Sequence, residues 1–430
     1  MERLTGLLGI IIIIGICYLM SNNRKKISLK TVVTGFVLQF LLAVFVLKVP
    51  LGQQILAIIA KCIEKILYFS NSGADFVFGF LNDSPQVIDH IFYKGASFVF
   101  SIKLIATIIF VLTIVNILYY FGIMQRIVAF FAKLMYKVMN VSGAEALSNI
   151  ASVFVGQVEA QIMIRPYLKT ATKSEILASM TGSMACIAGG VMAIYIAMGV
   201  DAKFLLAASV MAAPGALAVS KIIYPEVEES QTKNEVKVNV ERTHVNLIDS
   251  IANAASDGMK VSLNVIAMLI ALLSLIAMAD WVLAKFGLFL YDVCNIHLSF
   301  IDLSNLSIKS LLGAIFSFFA LIMGVPIENV SQVGALMGEK LVLNEFIAYT
   351  DLINMKDILT PKAITIASFA LCGFANFGSI AIQIGGIGEL APTRRGDIAK
   401  LGIKALIAGT FASYISASMA GILMWLLKKL

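Results

Sequence analysis

Long apolar runs separated by short polar segments dominate the chain. Eight of these runs approach or exceed the roughly 20 apolar residues that a helix needs to cross a bilayer. In chain order the predicted spans are 7–20, 32–49, 102–121, 176–198, 204–223, 261–288, 363–387 and 401–427. The pattern therefore predicts an all-α polytopic membrane protein with about eight transmembrane helices.

Three further segments follow other patterns. Residues 51–81 and 247–257 place apolar side chains on one helical face and charged or amide side chains on the other, which is typical of helices lying at a membrane interface. Residues 225–242 are densely charged and show no periodicity, so they are predicted to form a solvated linker.

Two apolar segments contain polar groups that a lipid-facing helix would not tolerate. Residues 148–167 include Gln157, Glu159 and Arg165, and residues 311–349 include the Asn344-Glu345 pair. Charged side chains at membrane depth normally face a protein interior or a water-filled path. Each segment also has a break, at Gly156 and at 324–326, so each is predicted to be a re-entrant helical hairpin. In extended backbone at the first tip, Gln157 and Glu159 would point the same way.

The two hairpins are predicted to belong to an internal inverted repeat. Each is followed by a span with small or polar interruptions, at 181–190 in the first half and at 373–379 in the second. Helices broken in corresponding positions of two repeats are typical of secondary transporters, because half-helix ends can bind solute and ion. The alternative is that Glu159 and Glu345 are interfacial carboxylates, and that Asn376 and Ser379 share a helical face and only bond neighbouring helices.

Composition supports a membrane protein. Of 430 residues, 59% are hydrophobic and 14% are charged, with a net charge of +7. The basic residues at 24–26 and 30 place the loop between the first two spans in the cytoplasm, and hence the N-terminus outside. The cysteines and the three histidines are too dispersed for a metal centre. No nucleic-acid module is present, and no cofactor is expected.

With these motifs in place, the chain resembles the bacterial concentrative nucleoside transporters, a family of ion-coupled nucleoside symporters. The resemblance covers nearly the whole chain and rests on long, dispersed motifs. They are Val141-Ser-Gly-Ala-Glu145, Val155-Gly-Gln-Val-Glu-Ala160, Arg165-Pro-Tyr-Leu168, Ile187-Ala-Gly-Gly-Val191, Met323-Gly-Val-Pro326, Val342-Leu-Asn-Glu-Phe346 and Cys372-Gly-Phe-Ala-Asn-Phe-Gly-Ser-Ile380.

The resemblance implies a homotrimer in the cell inner membrane, with one nucleoside site in each protomer. The regions it suggests are an N-terminal scaffold at 1–85, a first hairpin and gate region at 90–200, and a C-terminal transport region at 201–430. Gln157, Glu159 and Val191 would contact the nucleobase, with Val158 beside them influencing base preference. Glu345, Asn376 and Ser379 would bind the ribose, and Phe374 would pack beside it.

By the same resemblance, a sodium ion would lie between the first hairpin and the following helix. Its ligands would be backbone carbonyls of Ser152, Val155 and Ile187, with Cys186 at the position of a hydroxyl ligand. A thiol is a poor ligand for sodium. The coupling ion is therefore either sodium or a proton carried by Glu159 or Glu345.

Two other functional classes were compared with the symporter. A membrane-embedded hydrolase needs a nucleophile with a base, and neither a Gly-x-Ser-x-Gly motif nor a histidine within a span occurs. A passive channel for a small polar solute shares the polar intramembrane residues without ion coupling. The prediction is an importer of nucleosides, not an enzyme, with the channel as alternative and the choice between purines and pyrimidines left open.

Overall fold

The computed structural model describes residues 2–79, 100–233, 245–293, 295 and 303–426, and no β-strand occurs in these ranges. Up to the linker, the helices are α1 (Glu2–Leu19), α2 (Leu29–Leu47), α3 (Pro50–Phe78), α4 (Phe100–Tyr120), α5 (Ile123–Met139), α6 (Gly143–Phe154), α7 (Glu159–Ile162), α8 (Arg165–Leu168), α9 (Lys173–Ala185), α10 (Gly189–Ala197) and α11 (Ala202–Ile223). After it come α12 (Leu247–Leu288), α13 (Ile308–Ile322), α14 (Val330–Val342), α15 (Glu345–Asn354), α16 (Pro361–Leu371), α17 (Phe377–Leu390) and α18 (Arg395–Leu426).

The all-α membrane fold is confirmed. Within the described residues, six helical stretches are long and apolar enough to cross a membrane. They are Leu29–Leu47, Ser101–Tyr120, Lys173–Ala197, Ala202–Ile223, Leu247–Asp292 and Pro392–Met424. Four shorter apolar helices accompany them, and α16 and α17 together make one interrupted stretch. The number of eight transmembrane helices stays a prediction.

The helix α12 differs from the sequence prediction. Residues 247–257 were expected to form an interfacial helix separate from the span at 261–288, but one continuous helix of 42 residues contains both. At 1.5 Å per residue it is roughly 63 Å long, about twice the hydrocarbon thickness. The only glycine or proline between the two parts is Gly258. A single glycine inside a helix costs only about 1 kcal/mol, so the helix continues through it. Its main packing partner is α4.

Both predicted segments contain a hairpin, but the break expected at 324–326 is wrong as the tip of the second one, because those residues separate α13 from α14. The first consists of α6, a turn at 155–158 and the short helices α7 and α8. The second consists of α14, a break at Leu343 and Asn344, and α15. Each hairpin precedes an interrupted helix: α9 and α10 are separated by residues 186–188, and α16 and α17 by residues 372–376.

Local sequence explains where these half-helices begin. Ser142 and Glu145 form a capping box at the start of α6, and Thr172 and Glu175 form another at the start of α9. Thr360 caps α16, where Pro361 occupies the first turn. These side chains satisfy backbone N–H groups that have no partner inside the helix.

The C-terminal helix α18 forms the centre of the bundle. It packs against α9, α11 and α16, and also against α1, α2 and α17. The contact with α9 is close because Gly409 faces it: a Cβ there would lie 2.8 Å from Met184 Cβ. Small residues permit such close approach of helix backbones in membranes. The interrupted helices are therefore supported on one long continuous helix.

The first part of the predicted linker is not a free solvated loop. Thr232 is buried, its carbonyl accepts a hydrogen bond from the Gly143 backbone N–H at 2.8 Å, and its hydroxyl accepts one from the Ala144 N–H at 3.2 Å. Ser230 Oγ donates to Glu175 Oε1 at 2.5 Å. The charge pattern misled the prediction because Thr232 accepts hydrogen bonds from the first turn of α6 and Ser230 bonds the capping-box glutamate of α9. Residues 234–244 lie outside the described ranges.

A buried ion pair fixes the same end of the first hairpin. Lys221 Nζ in α11 lies 2.7 Å from Glu145 Oε2 in α6, and both side chains are almost fully buried. The ammonium also donates to Ser174 Oγ at 2.8 Å and lies 3.5 Å from Glu226 Oε2. The ammonium of Lys221 therefore joins the hairpin, α9 and the loop after α11.

We expect Lys221→Met to destabilise the fold by about 3–5 kcal/mol, because it leaves the Glu145 carboxylate buried without its cation. The matched control is Lys173→Met, which removes a partly exposed partner 3.9 Å from Asp397 and should cost about 0–1 kcal/mol. Thermal unfolding of both variants in detergent provides the comparison. Equal midpoints for the two variants would contradict the role given to Lys221.

Candidate functional site

The interruptions of the two broken helices touch each other. Gly373 has a φ of 106°, a left-handed conformation that favours glycine, and it lies directly against the end of α9. A Cβ at this position would lie 2.7 Å from the Met184 carbonyl oxygen. Glycine is therefore required both by the backbone conformation and by the close approach. The contact brings unwound backbone from both halves of the chain to one place.

Glu345 is the polar centre of this region. It is the first residue of α15 and is only 6% exposed. Tyr195 Oη of α10 donates to Glu345 Oε1 at 2.9 Å, and Asn376 Nδ2 donates to Glu345 Oε2 at 3.0 Å. One carboxylate thus joins the second hairpin to both interrupted helices. The alternative that Glu345 is an interfacial loop carboxylate is wrong, because the residue is buried between three helical segments.

Asn376 and Ser379 are related by a helix cap, not by a shared helical face. Asn376 has extended backbone (φ −142°, ψ 166°) and is the N-cap of α17, where its Oδ1 accepts a hydrogen bond from the Ser379 N–H at 2.8 Å. This cap uses the acceptor of the amide and orients the donor toward Glu345. Both residues are buried.

The tip of the first hairpin lies along α17. Gln157 Nε2 donates to Ser379 Oγ at 3.4 Å, and Gln157 Oε1 accepts from Gln383 Nε2 at 3.4 Å. Val158 packs against Gly386, where a Cβ would lie 2.6 Å from a Val158 methyl carbon. Both bonds of Gln157 are long for hydrogen bonds and are therefore weak. Gln157, Ser379, Asn376, Glu345 and Tyr195 thus form a continuous polar row.

Two buried polar atoms beside this row have no hydrogen-bond partner among the described residues. They are Gln383 Oε1 and Asn344 Nδ2. A buried donor or acceptor without a partner costs about 1–3 kcal/mol, so such atoms are usually paired with a solute or water. The row therefore offers one free acceptor and one free donor in addition to the remaining lone pairs of Glu345.

Glu159 lies apart from the row. It is exposed and its carboxylate lies against Gly156. The expectation of an extended tip is wrong, because Val158 has helical backbone (φ −94°, ψ −40°) and the short helix α7 begins at Glu159. The turn separates the directions of Gln157 and Glu159, which extended backbone would have aligned.

Val191 and Phe374 supply half-buried apolar surface. Val191 lies near the start of α10, one helical turn before Tyr195, and Phe374 lies inside the interruption between α16 and α17. Both pack at the margin of the main hydrophobic cluster. Because they are only half-buried, each leaves apolar area available for a ligand.

The four residues assigned to a possible sodium site are all buried near two helix C-termini. Val155 is the C-cap of α6 and Cys186 is the C-cap of α9, with Ile187 next to it. Ser152 Oγ donates to the Ser148 carbonyl at 2.7 Å and lies 3.0 Å from Ser183 Oγ. The Cys186 thiol is directed to the Ser209 carbonyl, at 3.8 Å. Helix C-termini carry partial negative charge, so the carbonyl oxygens at these two ends are ligands suited to a hard cation.

Several residues of the site were missed by sequence reasoning. Tyr195 is four residues after Val191, and Gln383 is four residues after Ser379, so helical spacing was the signal that would have found both. Gln161 Nε2 donates to Ser183 Oγ at 2.7 Å and its Oε1 accepts from Ser179 Oγ. No spacing rule would have paired Gln161 with α9, because the pairing depends on how the hairpin packs.

Interrupted helices that meet around buried polar groups inside a helical bundle define a membrane carrier of the secondary-transporter class. Comparisons with known families agree with this class. Residues 8–81 match the N-terminus and residues 204–421 the C-terminus of the Na+-dependent nucleoside transporters, and residues 101–202 match a domain described as nucleoside recognition. The chain belongs to the concentrative nucleoside transporter family.

Individual relatives span the whole chain. The chain is 40% identical over 428 residues to an uncharacterized transporter of Haemophilus influenzae, with 98% of each protein covered. It is 36% identical to the nucleoside permease NupC of Helicobacter pylori, again with 98% of each covered. Its fold is similar to a structure of CNTnw in an inward-facing substrate-bound state, with a TM-score of 0.91, 37% identity and 99% of each chain covered.

We expect Tyr195→Phe to weaken uridine binding about 3- to 10-fold, because the Glu345 carboxylate loses a buried hydrogen-bond donor worth about 1 kcal/mol. The matched control is Tyr414→Phe, since the buried Tyr414 hydroxyl has no hydrogen-bond partner in the described residues. Calorimetric titration of purified protein with uridine measures both. A larger effect at Tyr414 than at Tyr195 would contradict this assignment.

Proposed function

We propose that the protein imports nucleosides across the cell inner membrane by symport with sodium or protons. The observation that carries the proposal is the buried Glu345 carboxylate, held by Tyr195 and Asn376 where the two interrupted helices meet. The hydroxyl groups of a neutral, polar solute need hydrogen-bond acceptors when they are buried. A solute that lacks these hydroxyls leaves the buried groups of the site unpaired, which makes recognition selective.

Substrate contacts are assigned along the polar row. Glu345, Asn376 and Ser379 would bind ribose hydroxyls, and Phe374 would pack against the sugar. Gln157 and Val191 would contact the base, and Val158 would influence base preference. Glu159, which is exposed here, would reach the base only after the first hairpin moves. Amide and carboxylate partners with an apolar wall are typical of sites for small polar ligands.

The orientation and assembly are part of the same proposal. Asn22 N donates to the Ile223 carbonyl at 2.9 Å, so the basic α1–α2 turn lies beside the end of α11. The positive-inside rule assigns that end to the cytoplasm and the N-terminus to the outside. By family resemblance we infer a homotrimer, in which 1–85 belongs to a fixed scaffold and the hairpins in 90–200 and 201–430 move with the solute.

The coupling ion is assigned to the C-terminal ends of α6 and α9. Ser152, Val155 and Ile187 would supply oxygen ligands, while the Cys186 thiol, directed toward Ser209, would contribute little. If a proton drives uptake instead, Glu159 or Glu345 would carry it.

We expect uridine to accumulate in proteoliposomes under an inward sodium or proton gradient and not without one. Glu345→Gln should lower uptake about 10- to 100-fold, because a charge-assisted hydrogen bond is worth about 1.5–3 kcal/mol. The control is Glu328→Gln, an exposed carboxylate that should leave uptake unchanged. Equilibration without accumulation would favour the passive channel, and no uptake of any nucleoside would refute the proposal.

If sodium drives uptake, we expect Ser152→Ala to raise the sodium concentration for half-maximal uptake about 3- to 10-fold. The Ser152 carbonyl remains, but the hydroxyl bonds to Ser148 and Ser183 that position it are lost, at a cost of about 1 kcal/mol. Cys186→Ala should change it less than about 2-fold. Sodium titrations of uridine uptake distinguish the two variants. The reverse ranking would show that the thiol position, not Ser152, contributes to the ion site.

A further inference from the structure

Lys340 is a buried lysine for which the proposed transport mechanism has no role. It lies in α14, the first arm of the second hairpin, and is 1% exposed. Its ammonium donates to the Ala370 carbonyl at 2.9 Å and to the Cys372 carbonyl at 3.2 Å. These carbonyls belong to the last turn and the C-cap of α16, where that helix is interrupted. A fully buried ammonium is costly unless its N–H donors are hydrogen-bonded, and these two carbonyls accept those hydrogen bonds.

The ligands of the Lys340 ammonium resemble those of a bound cation. Backbone carbonyls at a helix C-terminus carry partial negative charge. Lys340 itself lies in the last turn of α14, so two helix C-termini face its charge. The Glu345 carboxylate, five residues on, also interacts with it electrostatically. The surroundings are those of a cation site whose occupant is covalently attached.

Counted from the helix C-caps, Lys340 occupies in the second repeat the position that Ser152 of the proposed ion site occupies in the first. Lys340 is three residues before Leu343, the C-cap of α14, and Ser152 is three residues before Val155, the C-cap of α6. The carbonyl partner of Lys340 belongs to Cys372, the C-cap of α16, and the corresponding C-cap of α9 is Cys186. Cys186 and Cys372 are 186 residues apart, as are Glu159 and Glu345, whereas Ser152 and Lys340 are 188 apart, because the turn between C-cap and glutamate is two residues longer in the first hairpin.

The two repeats differ in the side chain at this register. Neither α6 nor α9 has a basic residue in its last turn, whereas α14 has Lys340. In the first repeat the residue at this position, Ser152, is neutral, so no side-chain charge lies at the end of α9. The ends of α6 and α9 therefore have carbonyls and hydroxyls without a resident charge, and the end of α16 has carbonyls with one.

We propose that the Lys340 ammonium is a tethered counterpart of the coupling cation. It permanently fills the cation position of the second repeat, so that only the position in the first repeat empties and refills. This inference rests on the proposed function for the identity of the first position. Its consequence is an asymmetric site: the Glu345 end stays assembled without an ion, and the Gln157 end depends on one.

Two substitutions at Lys340 test the proposal. Lys340→Ser restores the residue type of the first repeat and leaves space for a free cation, whereas Lys340→Met fills the space with an uncharged chain. In choline chloride, both variants should unfold at lower temperature than wild type and bind uridine at least about 10-fold more weakly. In sodium chloride of equal ionic strength, the midpoint of Lys340→Ser should rise by more than that of wild type, and the midpoint of Lys340→Met should not.

Lys356→Ser is the matched control, because Lys356 also donates to a backbone carbonyl, that of Gly199, but is exposed. It should gain no additional sodium response. The proposal is overturned if Lys340→Met binds uridine and unfolds like wild type, or if Ser and Met at 340 respond equally to sodium. Aggregation of Lys340→Ser at every sodium concentration also overturns it. The thermal measurements need no transport, so failure of wild-type uptake would refute the proposed function separately.

Discussion

The structure depends on one constraint, which is that a helix interrupted inside a membrane must find partners for the backbone groups that it releases. Water is not available there, and each unpaired group costs several kcal/mol. The protein places its two interruptions in contact, with Gly373 against the end of α9, and supports both on α18. Ser413 Oγ of α18 donates to the Cys372 carbonyl at 2.8 Å, so the supporting helix also satisfies the released backbone.

The two repeats meet this constraint with different chemistry. In the first, Gln161, Ser179, Ser183 and Ser152 form a neutral hydrogen-bonded network between the hairpin and α9. In the second, the Lys340 ammonium joins the hairpin to the Ala370 and Cys372 carbonyls at the end of α16. A neutral network can rearrange at modest cost, whereas a buried charge is expensive to move from its ligands. The repeated architecture therefore provides one adaptable half and one fixed half.

The same asymmetry appears in the two hairpin glutamates. Glu159 and Glu345 each begin the second half-helix of a hairpin. Glu345 is buried and bonded to two helices, while Glu159 is exposed beside Gly156. Carboxylates with matched positions in a repeat thus have different partners. Glu345 fixes one end of the polar row, and the Gln157 end is held only by long hydrogen bonds.

The sequence alone determined the membrane fold, the first hairpin, the two helix interruptions and most members of the polar row, because these depend on local composition and on short helical spacings; the tip of the second hairpin came from the structure. The sequence also indicated the family. Tertiary structure decided the burial of Glu345, the partners of Lys221 and Lys340, the ordered loop at Thr232 and the continuity of α12. Those features join residues that lie far apart in the chain. Periodicity reports neighbours three or four residues away, and only packing decides which distant charge or carbonyl a buried side chain meets.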